Sequence, residues 1–423
     1  MITKFFSPIV GLFAACIIVG PDQIRAADSR PAFPEVKDLP LRKEMPDPLL
    51  MNDGTKVTDA AQWKARREEI KRTLEYYSIG SMPPAPGNVK GQDVKSQAVN
   101  DGKANFRLVH LTFGPEEKLG LDIAVFTPAQ SAGPFPTFVY ISFDTTPGTT
   151  AAPAAGGGRR GGRRGGAETG GADPDQAARG FATQLERGYA VVTFGYTQSG
   201  LDSRAASASN KVKQAYPDYD MGLEGTWAWS MSRVVDYLQT QPFADKTKIV
   251  AIGISRLGKA TLIAGAFDER FALVAPAGSG AFGTGAFRFN GTTNGGKQGL
   301  DEFTKTYDYQ VGPRLTNFYG QVYKLPFDQH WLIALVAPRP FISLEGLDDQ
   351  YCNGNALKQS WLAAKPVFDL LGATDRLGVN FRPGAHMLSP LDWQAALDFS
   401  DRHLRGMDVK RVFNEFPPQE QLH

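Results

Sequence analysis

From residue 106 onward the chain sets short apolar runs against longer stretches whose apolar residues recur every three or four positions. Runs of the first kind occupy 106–113, 121–127, 137–143, 190–196, 248–254, 271–276, 340–345 and 377–382. Their length and their β-branched and aromatic content predict strands. Helical periodicity fills 181–187, 227–239, 257–266, 357–371 and 390–404. Ahead of all of these, 58–77 carries Trp63, Ile70, Leu74 and Tyr77 at roughly helical spacing behind Thr58 or Asp59, either of which can cap the first turn. Strands that alternate with helices imply a mostly parallel central sheet covered on both faces, which makes three layers. The expected fold class is α/β, built as one doubly wound domain.

Three stretches stand outside that alternation. Residues 28–57 are rich in Pro and charge and are expected to lie on the domain as an extended arm. Residues 145–178 contain Gly156-Gly157-Gly158-Arg159-Arg160-Gly161-Gly162-Arg163-Arg164-Gly165-Gly166, which cannot bury a core and reads as a flexible insertion. Its arginines lack interleaved aromatic residues. Over the whole chain 46 Lys and Arg against 44 Asp and Glu leave a net charge of +2, so no nucleic acid partner is expected. At the N-terminus, Lys4, the apolar run 5–20 and the small residues Ala26 and Ala27 have the layout of an export signal covering 1–27. That leaves 28–423 as the domain. The run is short for a retained membrane span, and Phe13-Ala14-Ala15-Cys16 is a poor lipidation site. Once the signal is removed Cys352 is the one remaining cysteine, so an internal disulfide is not expected. A chain of this length can be stable through its core alone. These features fit a periplasmic or secreted bacterial monomer.

The chemistry concentrates at Gly253-Ile254-Ser255-Arg256-Leu257-Gly258-Lys259-Ala260, where the apolar run Ile249-Val250-Ala251-Ile252 passes into a helix. A strand–Gly-x-Ser–helix junction is a nucleophile elbow, whose tight turn lifts the serine oxygen above the sheet edge. The helix N-terminus behind it suits a developing oxyanion. The second glycine, usually two residues past the serine, is displaced to Gly258. A serine needs a base, and five histidines are available. His110 lies in an early strand, His330 ahead of the strand at 340–345, His403 inside the last helix and His423 at the end. His386 sits in a loop directly after a late strand, in Pro383-Gly384-Ala385-His386-Met387. The acid then belongs after 340–345, where Gly346-Leu347-Asp348-Asp349-Gln350-Tyr351 offers two adjacent carboxylates. Asp349 is preferred, with Asp348 the alternative. The order Ser, acid, His is that of the α/β-hydrolase fold. No dinucleotide fingerprint, P-loop or metal-ligand spacing occurs. The few histidines and one mature cysteine argue against a zinc site, so no cofactor is expected.

Gly253-Ile254-Ser255-Arg256-Leu257-Gly258-Lys259 resembles the Gly-x-Ser-Arg-x-Gly-Lys signature of the glucuronoyl esterases, carbohydrate esterase family 15. Trp227-Ala228-Trp229 with Arg233-Val234-Val235-Asp236-Tyr237-Leu238, Ala264-Gly265-Ala266-Phe267-Asp268-Glu269-Arg270, Leu325-Pro326-Phe327-Asp328-Gln329-His330, Ala337-Pro338-Arg339-Pro340 and Gly384-Ala385-His386 carry the resemblance from Trp63 to the C-terminus. It implies a serine esterase that cleaves esters of 4-O-methyl-glucuronate in glucuronoxylan, as in links to lignin alcohols, through an acyl-enzyme. Ser255 would be the nucleophile, His386 the base and Arg256 a donor to the oxyanion, while Lys259 would hold sugar hydroxyls. Two departures stand out. Many members carry the acid as a Glu just after the next strand, where this chain reads Pro276-Ala277-Gly278-Ser279-Gly280. Others place an Asp in the later loop, which Asp349 matches. The sugar-stacking Trp expected two residues beyond it is Tyr351. In the excursion at 282–323, Asn290, Asn294, Lys297 and Gln298 are candidates for the pocket wall. Lys259, Tyr351, Gln298 and Asp348 make up the expected substrate contacts. The alternatives are another carbohydrate esterase, such as an acetylxylan esterase, or a catalytically dead carbohydrate-binding relative that lost its acid at Gly278.

Overall fold

Nine strands pair into one sheet in a computed structural model that describes residues 33–149, 173–290 and 298–422. They are β1 (Lys90–Val99), β2 (Ala104–Phe113), β3 (Leu119–Pro128), β4 (Phe135–Ser142), β5 (Ala190–Gly195), β6 (Ala244–Ile254), β7 (Phe271–Ala277), β8 (Phe341–Gly346) and β9 (Leu377–Arg382). Their order across the sheet is β1-β2-β3-β5-β4-β6-β7-β8-β9. The first three run antiparallel, β3 meets β5 antiparallel, and β5, β4, β6, β7, β8 and β9 are parallel. Side chains alternate across a strand, so one that is buried at almost every position has to be covered on both faces. That holds for β4, β5, β7 and the last six residues of β6. This is the α/β-hydrolase arrangement, as expected.

The sequence reading missed β1. Every residue from Lys90 to Ala98 is exposed and only Val99 is buried, so no apolar alternation marks it. It forms because β2 offers a free edge, and the two pair along their length with a bulge between Asp93 and Lys95.

Helices cover the two faces. Leu223–Leu238 and Arg256–Phe267 are buried along almost their whole length. Full burial of each Leu or Ile among these residues contributes about 1.5–3 kcal/mol. On the sheet, Phe138, Ile252, Ile342 and Leu344 share a core cluster with Ala395, Leu397 and Phe399 of the helix Pro390–Arg405. The first predicted helix spans Ala60–Leu74 and continues as a π turn over Glu75–Ile79; Asp59, not Thr58, caps it by accepting from the Gln62 N–H. A wholly buried helix, His330–Val336, also escaped the sequence, because an unbroken apolar run shows no helical period.

Glu35–His423 cluster as one compact unit. The arm within it is irregular, with a bridge between Leu50 and Lys56. It is pinned where the Pro46 carbonyl accepts from Trp331 Nε1 at 3.0 Å and lies 2.7 Å from His330 Nε2. The expected signal and most of the Gly/Arg insertion fall outside the described residues, although Pro174–Gly180, at the end of the 145–178 stretch, is helical behind an Asp173 cap. Among the described residues no helix is long and apolar enough to cross a membrane.

Candidate active site

β6 ends at Ile254 and the helix begins at Arg256, so the whole turn is made at Ser255, which adopts φ 61° and ψ −129°. A left-handed φ at a non-glycine residue costs on the order of 1–3 kcal/mol and persists where the surroundings enforce it. Here the Ser255 N–H donates to the Ala277 carbonyl at 2.9 Å, and the Ser255 carbonyl accepts from the Lys259 N–H at 3.0 Å. Two glycines make room for the bend. A β-carbon at Gly253 would sit 2.7 Å from the Leu257 carbonyl, and one at Gly258 2.7 Å from the Ala277 carbonyl. Gly258 therefore lets the helix press against the end of β7, which accounts for the displaced second glycine.

His386 and Asp349 meet from the loops after β9 and β8. Asp349 Oδ2 lies 2.6 Å from His386 Nδ1, and its Oδ1 accepts from the Tyr351 and Cys352 N–H groups at 2.8 and 3.2 Å. Burial pushes the Asp349 carboxyl up, but the bonds from His386 and the two N–H groups outweigh it and hold it below the usual carboxylate range. Asp348, its neighbour, is exposed and points elsewhere: its carboxylate accepts from the Gly384 N–H at 2.8 Å and so ties the two loops together. The buried Arg382 adds a second clamp. It pairs with Asp392 at 2.8 Å and donates to the carbonyls of Pro383, Ala385 and Met387. Nearby, burial pushes the Glu345 carboxyl up to about 8, which favours its neutral form beside Asp349 at neutral pH.

Gly278 borders this group. It follows Ala277, the acceptor for Ser255, and adopts φ +45°. A β-carbon there would lie 3.2 Å from His386 Nδ1 and 3.3 Å from Asp349 Oδ2.

The remaining expected residues spread along the surrounding walls. Arg256 is paired with the largely buried Asp202 and lies over the Phe143 ring at 5.8 Å. Asp202 also accepts from the Tyr309 hydroxyl at 3.0 Å and from Gln310 Nε2 at 2.7 Å. Lys259 is buried, donates to the Ser279 carbonyl and sits 5.4 Å over the Phe303 ring. Burial lowers its pKa, against the pull of Glu224. Glu224 is itself fully buried and shifted well upward, and its carboxyl oxygens bond no other described residue. Tyr351 is exposed, with its ring 5.1 Å from that of His386. Gln298 is half-exposed ahead of the helix Leu300–Lys305. Asn290 is turned inward onto the Gly285 and Ala286 carbonyls; Asn294 and Lys297 lie outside the described residues. Sequence reasoning missed Asp202, Glu224, Tyr309, Gln310 and Arg382, which lie far from the motif along the chain.

The other described histidines are engaged elsewhere. His110 Nδ1 lies 2.6 Å from Asp122 on the outer strands, and His403 packs on Phe399 with ring centroids 4.4 Å apart. His330 precedes β8 as expected and opens the helix before it, and burial pushes its pKa down to about 4. Its folded pKa lies below the unfolded value, so the unfolded chain binds the extra proton first and stability is lost as pH falls. The His330 contribution is complete above pH 6.5 and disappears toward pH 4, a loss of about 3 kcal/mol. Urea unfolding across that range should show this slope, and it should flatten in His330→Gln.

A family model for fungal glucuronyl esterases matches residues 175–372. A carbohydrate esterase from an unknown prokaryotic organism is 28% identical over 406 residues, covering 86% of this chain and 90% of that protein. The 4-O-methyl-glucuronoyl methylesterase of Cerrena unicolor is 30% identical over 395 residues, covering 90% of this chain and 73% of that protein. Among solved structures, a promiscuous esterase of carbohydrate esterase family 15 from a marine bacterial metagenome aligns with a TM-score of 0.73 at 27% identity, over 87% of this chain and 99% of its own. The glucuronoyl esterase from Solibacter usitatus aligns with a TM-score of 0.74 at 25% identity, again over 87% of this chain and 99% of its own. Likeness of this extent makes the chain a member of the glucuronoyl esterase family, carbohydrate esterase family 15, and a carboxylic ester hydrolase.

Proposed function

We propose that the protein hydrolyses glucuronoyl esters, with 4-O-methyl-glucuronate of xylan as acyl part and a lignin alcohol as leaving group. The observation that carries the reading is the 2.6 Å contact between His386 Nδ1 and Asp349, made by two loops beside a serine held in a strained elbow. In the first step His386 Nε2 takes the Ser255 proton as the hydroxyl attacks the uronate carbonyl. Asp349 fixes the ring tautomer and stabilises the imidazolium that results. Arg256 and the first-turn N–H groups of the helix Arg256–Phe267 stabilise the oxyanion. Its collapse gives the alcohol a proton from His386 and leaves a glucuronoyl ester on Ser255, which water then cleaves by the same steps. Lys259 and Tyr351 hold the sugar, with Gln298 at the rim. Asp348, tied to Gly384, supports the histidine loop more directly than it supports the substrate. An export signal over 1–27 would deliver a monomeric catalytic domain, 28–423, to the periplasm or the medium, where plant polymer is met.

The test compares methyl glucuronate esters with acetylated xylan. Preferential hydrolysis of the uronate ester supports the reading. Faster acetyl release makes the protein a deacetylase on the same machinery. Saccharide binding with no turnover of either makes it a binding relative.

Asp202 bears on Arg256 in this scheme, since it anchors the guanidinium that serves the oxyanion. Asp202→Ala should lower kcat by about ten- to a hundredfold with little change in KM, a fraction of the loss for an oxyanion donor itself. In an Arg256→Ala background it should cost nothing further. Independent losses that multiply would remove the link.

A further inference from the structure

The fold assembles three side chains that no spacing in the sequence announces as a ligand set. One ligand atom from each of Asp349, Cys352 and His386 lies within 4.8 Å of the other two. Asp349 and Cys352 are buried, while His386 is part-exposed beside the exposed Tyr351, so the group opens toward solvent on the histidine side. The expectation drawn from scarce histidines and cysteines, that a zinc site is improbable, missed this cluster because it joins two loops 37 positions apart. A thiol, an imidazole and a carboxylate together suit borderline and soft divalent cations rather than Mg²⁺ or Ca²⁺. Three protein donors with one position left over is also the open form of zinc coordination.

We infer that Asp349, Cys352 and His386 bind one Zn²⁺ or Cd²⁺ ion, and that the bound ion inhibits ester hydrolysis. The inhibition rests on the reading of His386 as general base; the binding does not. The ligand atom of His386 is Nδ1, the nitrogen that faces Asp349. Zinc bonds are about 2.0 Å to N or O and about 2.3 Å to S in tetrahedral array, so His386 Nδ1 and the Asp349 oxygen, now 2.6 Å apart, part to about 3.3 Å, while the sulfur needs to move by at most about 1.5 Å. On binding, the sulfur of Cys352 gives an electron pair to the ion and its proton leaves to solvent. The ion takes the Nδ1 lone pair, so the ring proton moves to Nε2 and the imidazole remains neutral. Nothing is oxidised or reduced. An Nε2 that carries a proton cannot accept another from Ser255, and Asp349 no longer bonds Nδ1. The catalytic pair is thereby locked in the wrong tautomer.

The experiment uses the whole protein freed of metal with EDTA. Each variant's rate in zinc chloride is divided by its own metal-free rate, and cadmium chloride is added separately while the ultraviolet thiolate-to-cadmium charge-transfer band is followed. Zinc should inhibit the unmodified protein, and EDTA should restore the rate. Cys352→Ala and Cys352→Ser should each raise the zinc concentration for half-inhibition by at least about 10–100-fold, the loss that removing even an outer partner of a metal ligand causes. The cadmium band should appear in the unmodified protein and in Ser255→Ala, and be absent from both Cys352 variants. Equal zinc sensitivity with and without the thiol, or no cadmium band in the unmodified protein, overturns the site. A band in a protein that hydrolyses no ester upholds the site and overturns the esterase reading instead.

Discussion

Ser255→Ala abolishes ester hydrolysis, lowering kcat by about 10⁶, the loss seen when a serine hydrolase is deprived of its nucleophile. The bend that presents the hydroxyl also removes the alternatives. Ser255 occupies the single residue between strand and helix, and its backbone is bonded to Ala277 and Lys259. No neighbour can rotate into its place without breaking those bonds. The Gly253 and Gly258 contacts leave no slack either. The substitution removes one oxygen and keeps the backbone, so the folded state is expected to survive and binding of the uronate to persist. Burst and steady-state kinetics on a methyl glucuronate ester check it: the unmodified enzyme forms an acyl intermediate and Ser255→Ala does not. A residual rate within a hundredfold of the unmodified enzyme would place the nucleophile elsewhere.

Asp349→Asn lowers kcat by about 10⁴, following the precedent of a triad acid replaced by its amide. The amide can present an N–H to His386 Nδ1, which stabilises the tautomer with its proton on Nε2, the wrong one for a base. Asp348→Asn is expected to be mild, because its partner is a backbone N–H in the adjoining loop and an amide oxygen can accept that bond equally well. The pair of variants, assayed side by side for kcat and for the acid limb of kcat/KM, decides between two residues that the sequence leaves adjacent. The opposite pattern, severe at 348 and mild at 349, would transfer the role.

That ambiguity shows what one-dimensional reading can reach. Successive residues of a loop point in unrelated directions, so an Asp-Asp pair says only that a carboxylate is available. The direction is set by the turn in which the Tyr351 and Cys352 N–H groups close on Asp349, while Asp348 is drawn toward Gly384. Strands of the parallel core were readable because two-sided burial writes itself as an unbroken apolar run; β1 was invisible because an exposed edge strand writes nothing. Ser255 and His386 stand out as candidates from local context, a strand entering a helix and a loop leaving a late strand. Asp202 and Arg382 could not, since their work is to hold another residue, and the partner is known only once the chain is folded.

The crowding around Gly278 has a bearing on how relatives are compared. Many family members supply their carboxylate from this position, yet here any side chain would push into the space that His386 and Asp349 already share. A carboxylate at 278 would be brought against the same imidazole nitrogen that already faces Asp349. On the proposed reading, the glycine is the counterpart of an acid supplied one strand along, at the end of β8 instead of the end of β7. If Asp349→Asn proves as damaging as expected, an alignment column that scores the glycine as decay would mistake relocation for loss.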